Sequence, residues 1–467
     1  MVKEKIEAYM EAHRQEMIED ICTLCRINSE KMPYKPGMPF GEGAFKALAE
    51  ALTMAEGYGF SVKNYDNYVG TADLNQGERC LDILAHLDVV PAGEGWEVTE
   101  AFTPLLKDGK LYGRGTSDDK GPAIAALYAM RAVKELGLPV TKNCRLIFGT
   151  DEECGSSDIV QYYDEEPEAP MTFSPDGAFP VVNIEKGRLP GSFSRKFETS
   201  QALPGLLSLD AGIKVNVVPG KANASVKGLD LSDLCDLAKV VEKETGAEFT
   251  IKADEDVAMI TAEGKSAHAS TPEEGINALT ALLVLLTRLP LAECAQTEVL
   301  KEILALMPHG DVHGEALGVS MEDKLSGKLT LAFSLLHVED GYLEGGFDIR
   351  CPICANEENL LLPIKEKLQE KGFILANKTI TPPHYVDGNS DFVQTLLRAY
   401  EEYTGREGRC EFMGGGTYVH SLKNGVAFGA FMPGTDTRMH GADEFAPVDE
   451  LLTAAKIFAQ VIVDLCK

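Results

Sequence analysis

Two short apolar runs and a glycine-rich turn, all within the first third of the chain, end in groups that bind protons or cations. Leu81-Asp-Ile-Leu-Ala leads to His86-Leu-Asp88, and Arg145-Leu-Ile-Phe leads through Gly149-Thr150 to Asp151-Glu152-Glu153. Between them, Leu111-Tyr-Gly-Arg-Gly-Thr-Ser precedes Asp118-Asp119-Lys120-Gly121. Apolar runs of this length bounded by turn residues read as buried strands. Open α/β sheets place ligands outside the carboxyl ends of such strands. Two later runs repeat the pattern: Met171-Thr-Phe-Ser-Pro before Asp176, and 426–432 before His440. The set reads as a two-metal hydrolytic site.

At 467 residues the chain exceeds one ordinary core, so two or more domains are expected. Helical periodicity covers 2–28 and 44–58. Strands follow near 60–64, 67–73 and 81–86, then a largely apolar helix from Gly121 to Leu136 and strands at 144–149 and 171–175. This alternation is that of an α/β sheet with crossover helices. From about 185 to 382 the pattern changes to an inserted α+β domain. Its strands fit 189–197, 213–218, 222–227, 257–263, 329–338 and 342–349, and its helices fit 230–245, 275–289, 296–305 and 357–371. The remainder returns to α/β, with a helix at 388–404, strands at 408–412 and 426–432, and a closing helix that begins at Pro447. Residues 1–184 and 383–467 are therefore expected to form one discontinuous domain, interrupted by an insertion at 185–382.

A formal net charge of -29 argues against nucleic acid and anionic membrane as partners. The amino-terminal sequence passes directly into charged helical sequence, and the longest apolar stretch, 278–286, is too short to span a bilayer. The expected location is the cytoplasm. Eleven cysteines without framework spacing read as reduced thiols. Cys22/Cys25 and Cys351/Cys354 have no neighbouring His or second pair at zinc-finger spacing.

Each chemical motif has a bland alternative. His86-Leu-Asp88 alone would be a surface pair; on a continuing strand both side chains share a face, and Asp88 could orient the imidazole. Asp119 suits a helix N-cap, but two adjacent acids exceed what capping needs, and Asp118 could bridge two cations. Three acids at 151–153 are costly at a strand end unless cations or solvent compensate. A metal reading makes Glu153 a ligand and Glu152 a general base. His268 between Ser266 and Ser270 reads as an ordinary loop histidine, and Arg350 as a surface strand end. His309-Gly-Asp-Val-His313 lies among Pro308, Gly310 and Gly314, which argues for a solvated loop.

Taken in order, His86-Leu-Asp88, Gly115-x-x-Asp118-Asp119-Lys-Gly121, Asp151-Glu152-Glu153-x-Gly155, Ser174-Pro-Asp176-Gly and Met439-His440-Gly resemble the aminoacylase/carboxypeptidase family of co-catalytic zinc peptidases. Phe40-Gly-Glu-Gly, Val215-Asn216-Val-Val-Pro219, Gly264-Lys-Ser-Ala-His268-Ala-Ser and Gly414-Gly-Gly-Thr-Tyr418 resemble its dipeptidase V branch. The resemblance covers essentially the whole chain. It implies a mixed-sheet catalytic domain with an inserted lid, here doubled in size, and two Zn2+ per chain, with Co2+ or Mn2+ as substitutes. His86 and Asp176 would hold one ion, Glu153 and His440 the other, with Asp118 between them and a cis peptide joining Asp118 to Asp119. Glu152 would be the general base, His268 would stabilise the oxyanion, and Arg350 would pair with the substrate carboxylate. Asn216, Gly415 and Thr417 would be further substrate contacts. His420 stands where relatives commonly carry arginine. The doubled lid implies a monomer that cleaves unblocked dipeptides. The alternatives are an N-acyl amino acid deacylase or carboxypeptidase of the same fold, and an inactive metal-binding homologue.

Overall fold

The computed structural model describes residues 2–467 and resolves into two compact units. The first contains the chain up to Ile184, together with Tyr385–Phe412 and Gly416–Lys467; the second contains Glu185–His384 and Met413–Gly415.

The first unit is built on a mixed sheet. Its centre runs Ser61–Tyr65, Val69–Asp73, Asn143–Gly149, Arg79–His86, Met171–Ser174 and Gly425–Ala427 in spatial order. The last four are mutually parallel, and the first two are antiparallel additions at one edge. Parallel strands covered on both faces read as continuous apolar runs, and Arg79–His86 is buried along nearly its whole length. Leu81, Ile83 and Ala85 face the main core with the helices Lys120–Glu135 and Val448–Leu465. Leu84 faces a smaller cluster containing Tyr162 and Tyr418. Lys120–Glu135 is buried from Lys120 to Val133; its five alanines between 123 and 132 suit a helix wedged between sheet and helix.

Several expectations are corrected here. The 2–28 helix is two, Val2–Ala12 and Arg14–Cys25, broken at His13. The His13 ring stacks on Tyr9, its Nδ1 lies 2.8 Å from the Tyr9 carbonyl, and its backbone leaves helical values at φ -105, ψ 10. The 426–432 run is a strand only over Gly425–Ala427. The chain then turns at Gly429 (φ 87), where a Cβ would meet the Phe179 ring at 2.7 Å, and a cis peptide joins Gly429 to Ala430.

The second unit carries an eight-stranded sheet whose longest strands are the antiparallel neighbours Gly187–Lys196, Tyr342–Cys351 and Thr330–Glu339. The expected strand at 213–218 is displaced. Pairing runs over Gly205–Ala211, whose alternation is broken by a bulge between Leu206 and Ser208, and Ile213 lies in an exposed turn after Gly212. Only Val217–Val218 remains extended, paired with Ala267–His268. A strand at Glu248–Asp254 was not anticipated, because its residues are mostly exposed and carry no apolar run. Two reciprocal pairs join Gly187–Lys196 to Tyr342–Cys351: Phe347 lies opposite Gly191, and Phe193 opposite Gly345. A Cβ on either glycine would stand 2.1 or 2.3 Å from the facing ring. His309 and His313 are half-buried rather than solvated. His309 joins Thr280 Oγ1 to the Thr245 carbonyl, and His313 Nδ1 meets the Leu329 carbonyl.

Candidate metal centre

The strand Arg79–His86 ends at a buried imidazole whose Nε2 lies 2.9 Å from Asp118 Oδ1. The other oxygen of Asp118 lies 2.7 Å from His440 Nε2. One carboxylate thus carries an imidazole on each oxygen, and Asp118 itself is joined to Asp119 by a cis peptide. Asp176 Oδ2 is 3.8 Å from His86 Nε2, and Glu153 Oε1 is 3.3 Å from His440 Nε2. Ligand atoms of His86, Asp118 and Glu153 all lie within 4.8 Å of one another, as do those of His86, Glu152 and Asp176. His440, in the left-handed region at φ 63, is the exposed member of the group.

Five carboxylates (Asp118, Asp119, Glu152, Glu153 and Asp176) gather here around two imidazoles. Burial would raise Asp118, but hydrogen bonds from His440 and His86 outweigh it and hold the group well below the ordinary carboxylate range. Burial and the charge of Asp118 push Asp176 up to about 7, and burial with the Asp176 charge carries Glu152 well above its usual value. His440 rises to about 10 through its hydrogen bonds to Asp118 and then Glu153. The buried Asp119 Oδ1 makes no hydrogen bond, and the buried Glu153 Oε1 has only the His440 ring beside it. Five crowded acids facing two imidazole nitrogens fit divalent cations that accept N and O donors.

The surroundings depart from two expectations. His86 Nδ1 is held by the backbone carbonyl of Asp88 at 3.0 Å, whereas the Asp88 carboxylate lies 3.5 Å away. That carboxylate accepts the backbone N–H groups of Glu152 and Glu153, each at 3.1 Å. Asp88 therefore fixes the acidic turn as well as the histidine. Asp119 occupies the N-cap position of Lys120–Glu135 without capping it; its Oδ2 accepts the His86 backbone N–H at 3.1 Å.

Three further supports hold the site, and the patterning hints at only one of their residues, Arg114. Asp158 accepts the N–H groups of Thr150 and Asp151 and the Tyr418 hydroxyl, which holds the acidic turn from beneath. Lys120 Nζ donates to the carbonyls of Leu24 and Ile27 at the end of an amino-terminal helix. Arg114 and Glu444 form a buried ion pair at 2.6 Å. The hint is a charged residue between two glycines just before Asp118. Its partner lies 330 residues away, beyond the reach of local pattern.

The remaining candidates divide between the units. Thr417 lies in the first unit, where its hydroxyl caps Tyr418–Ser421, and His420 belongs to that same turn. Asn216, His268, Arg350 and Gly415 lie in the second and meet through one segment, 268–270. The carbonyl of Asn216 accepts Ala269 N–H, and His268 Nδ1 accepts Ser270 N–H at 3.2 Å. A Cβ on Gly414, next to Gly415, would stand 2.4 Å from Ser270 Cβ. Arg350 is a buried side chain rather than a surface strand end. Its Nε and Nη2 bind Asp348 at 2.8 and 3.0 Å, and its Nη1 donates to the Gly414 carbonyl.

Residues 83–464 match the peptidase family M20/M25/M40. The chain is 34% identical to YtjP of Bacillus subtilis (strain 168), covering 97% of this chain and 98% of that one. It is 33% identical to the Beta-Ala-Xaa dipeptidase of Lactobacillus delbrueckii subsp. lactis, covering 98% and 97%. Among solved structures, human carnosine dipeptidase 1 shares the fold with a TM-score of 0.60 at 16% identity, over 100% of this chain and 99% of that one.

Proposed function

The chain belongs to peptidase family M20/M25/M40, a family of metal-dependent peptidases, and from that premise we propose that it is a di-zinc dipeptidase cleaving unblocked dipeptides. The observation that carries this reading is Asp118 with one imidazole on each of its oxygens and a further acid beside each imidazole. His86 and Asp176 would hold one ion, Glu153 and His440 the other, with Asp118 common to both; Co2+ or Mn2+ could substitute. Two such ions would supply Lewis acidity toward the scissile carbonyl and acidify a water.

The protein's own groups do the rest. Glu152, raised by burial and by the Asp176 charge, is suited to take a proton from the attacking water and return it to the leaving amine. Asp88 holds the turn that presents it. Because His268 Nδ1 accepts Ser270 N–H, the neutral ring carries its proton on Nε2, a donor suited to an oxyanion. Arg350, oriented by Asp348, would meet the substrate carboxylate through its remaining N–H groups. Asn216, Gly415 and Thr417 would line the substrate. Residues 185–382 would act as a lid inserted between 1–184 and 383–467, doubled so that the enzyme works as a cytoplasmic monomer. No described helix is long and apolar enough to cross a membrane. The dipeptide preference draws support from the Beta-Ala-Xaa dipeptidase relative.

The test is a panel of dipeptides, tripeptides and acetyl amino acids, assayed with metal content measured in parallel. Cleavage confined to unblocked dipeptides, lost on chelation and restored by Zn2+, is expected. Preferential release of acetate would make the enzyme a deacylase, and activity surviving exhaustive chelation would remove the metal centre from the mechanism. Light scattering that returned an obligate dimer would overturn the monomer.

A further inference from the structure

Asp118 and His440 are carried by loops that would otherwise be independent, yet both loops close on one buried ion pair. Glu444 is completely buried and Arg114 is 1% exposed. Glu444 Oε1 accepts the backbone N–H groups of Gly115 (3.0 Å), Ser117 (3.0 Å) and Asp118 (3.3 Å), as well as the Ser117 hydroxyl (2.9 Å). Its Oε2 accepts from Arg114 Nη1 at 2.6 Å, and its own carbonyl accepts Gly113 N–H. In return, Arg114 Nη2 reaches the His440 carbonyl at 3.4 Å and the Pro91 and Ala92 carbonyls at 3.2 and 3.4 Å. Each anchor stands four residues from a candidate ligand (114 to 118, 440 to 444). Each crosses to the opposite loop, so neither ligand loop can shift without breaking bonds of the other.

We propose that the Arg114–Glu444 pair is a positioning device that sets the Asp118 loop and the His440 loop in register, so that affinity for both cations depends on it although it touches neither. A carboxylate ringed by five donors fixes a turn more tightly than solvent could, and partners behind a ligand typically govern affinity about 10–100-fold. The proposal rests on the assignment of Asp118 and His440 as ligands.

The experiment measures cation affinity by chelator competition, the d–d spectrum of the Co2+-loaded protein, and the melting temperature of the metal-free protein. Breaking only one side of the pair would strand a buried charge, so the principal variant is the double Arg114→Met/Glu444→Gln, which removes both charges at similar volume. The expected result is a loss of about 10–100-fold in affinity for both equivalents together, with an altered Co2+ spectrum and a metal-free melting temperature close to that of the parent. Unchanged affinity and spectrum, or weakening of one equivalent alone, would overturn the coupling. Should the double variant fail to fold, Arg114→Lys reads the same link, since it keeps the charge and removes the fork that reaches the His440 carbonyl. A fall in affinity for both equivalents supports the coupling, and parental affinity overturns it. His440→Ala separates the premises: if it retains two tightly bound equivalents, the ligand assignment fails rather than the coupling.

Discussion

The two sheets solve opposite problems. In the first unit the parallel strands are buried on both faces, and charge is collected at one place, beyond His86, Gly149 and Ser174. In the second, the antiparallel strands alternate: Lys221–Lys227 and Val257–Glu263 bury every second residue and leave the others half-buried or exposed. The first arrangement concentrates buried carboxylates where cations could use them; the second spreads charge into water and relies on fitted rings. The first sheet is thus organised around a site, and the second around its own packing.

The contrast can be broken most severely at Glu152. Glu152→Gln should lower turnover on a dipeptide by roughly 10²–10⁴-fold while metal content stays near that of the parent; retained turnover would remove the proposed base. The corresponding blow to the second unit is Phe347→Ala, which removes a fully buried ring stacked on Phe193. It should cost about 3–5 kcal/mol in urea unfolding and leave metal stoichiometry unchanged. Gly191→Ala tests the same ring from beneath, and a loss of about 1–3 kcal/mol is expected, since the backbone must move to admit the methyl group.

Proton linkage sharpens the comparison further. In the metal-free protein the folded value of His440 is raised to about 10 by its hydrogen bonds to Asp118 and Glu153. The stabilisation is therefore complete below the unfolded imidazole value near 6.5 and is lost as pH rises toward about 10. Metal-free melting temperatures should fall across that window, and His440→Ala should flatten the fall. The smallest effect lies beneath the sheet at Asp82, whose two oxygens are buried without hydrogen bonds. Burial raises it to about 7, partly offset by Arg79. Stability is thus lost as pH climbs from about 4 to about 7. Asp82→Asn should raise the melting temperature by a few degrees at pH 8 and by less at pH 5; a uniform gain would show that its charge is not responsible.

What was legible followed from local pattern. His86, Asp118, Glu152, Glu153 and Asp176 each end an apolar run or a glycine turn, and a chain met for the first time shows that directly. The buried helix Lys120–Glu135 and the change of character near 185 were visible for the same reason. The division of labour at Asp88 was not, because the choice between its carbonyl and its carboxylate as partner of His86 is made by the turn at 152–154. The burial of Arg350 is not legible locally: Asp348 lies only two residues away on the same strand, but the Gly414 carbonyl that takes its Nη1 lies 64 residues on. The run at 426–432 is a strand only to Ala427, and at the Gly429 turn a side chain would meet the ring of Phe179, a residue far upstream that local pattern does not reveal.

The span between Arg114 and Glu444 also bears on biosynthesis. Because 330 residues separate the two halves of the bracket, a ribosome has exposed the acids of the first unit long before their counterpart emerges. A nascent or truncated chain therefore holds the carboxylates without the closing loop. On the proposed ligand assignment, hydrolytic competence would arrive late in translation, after the inserted residues have already been made.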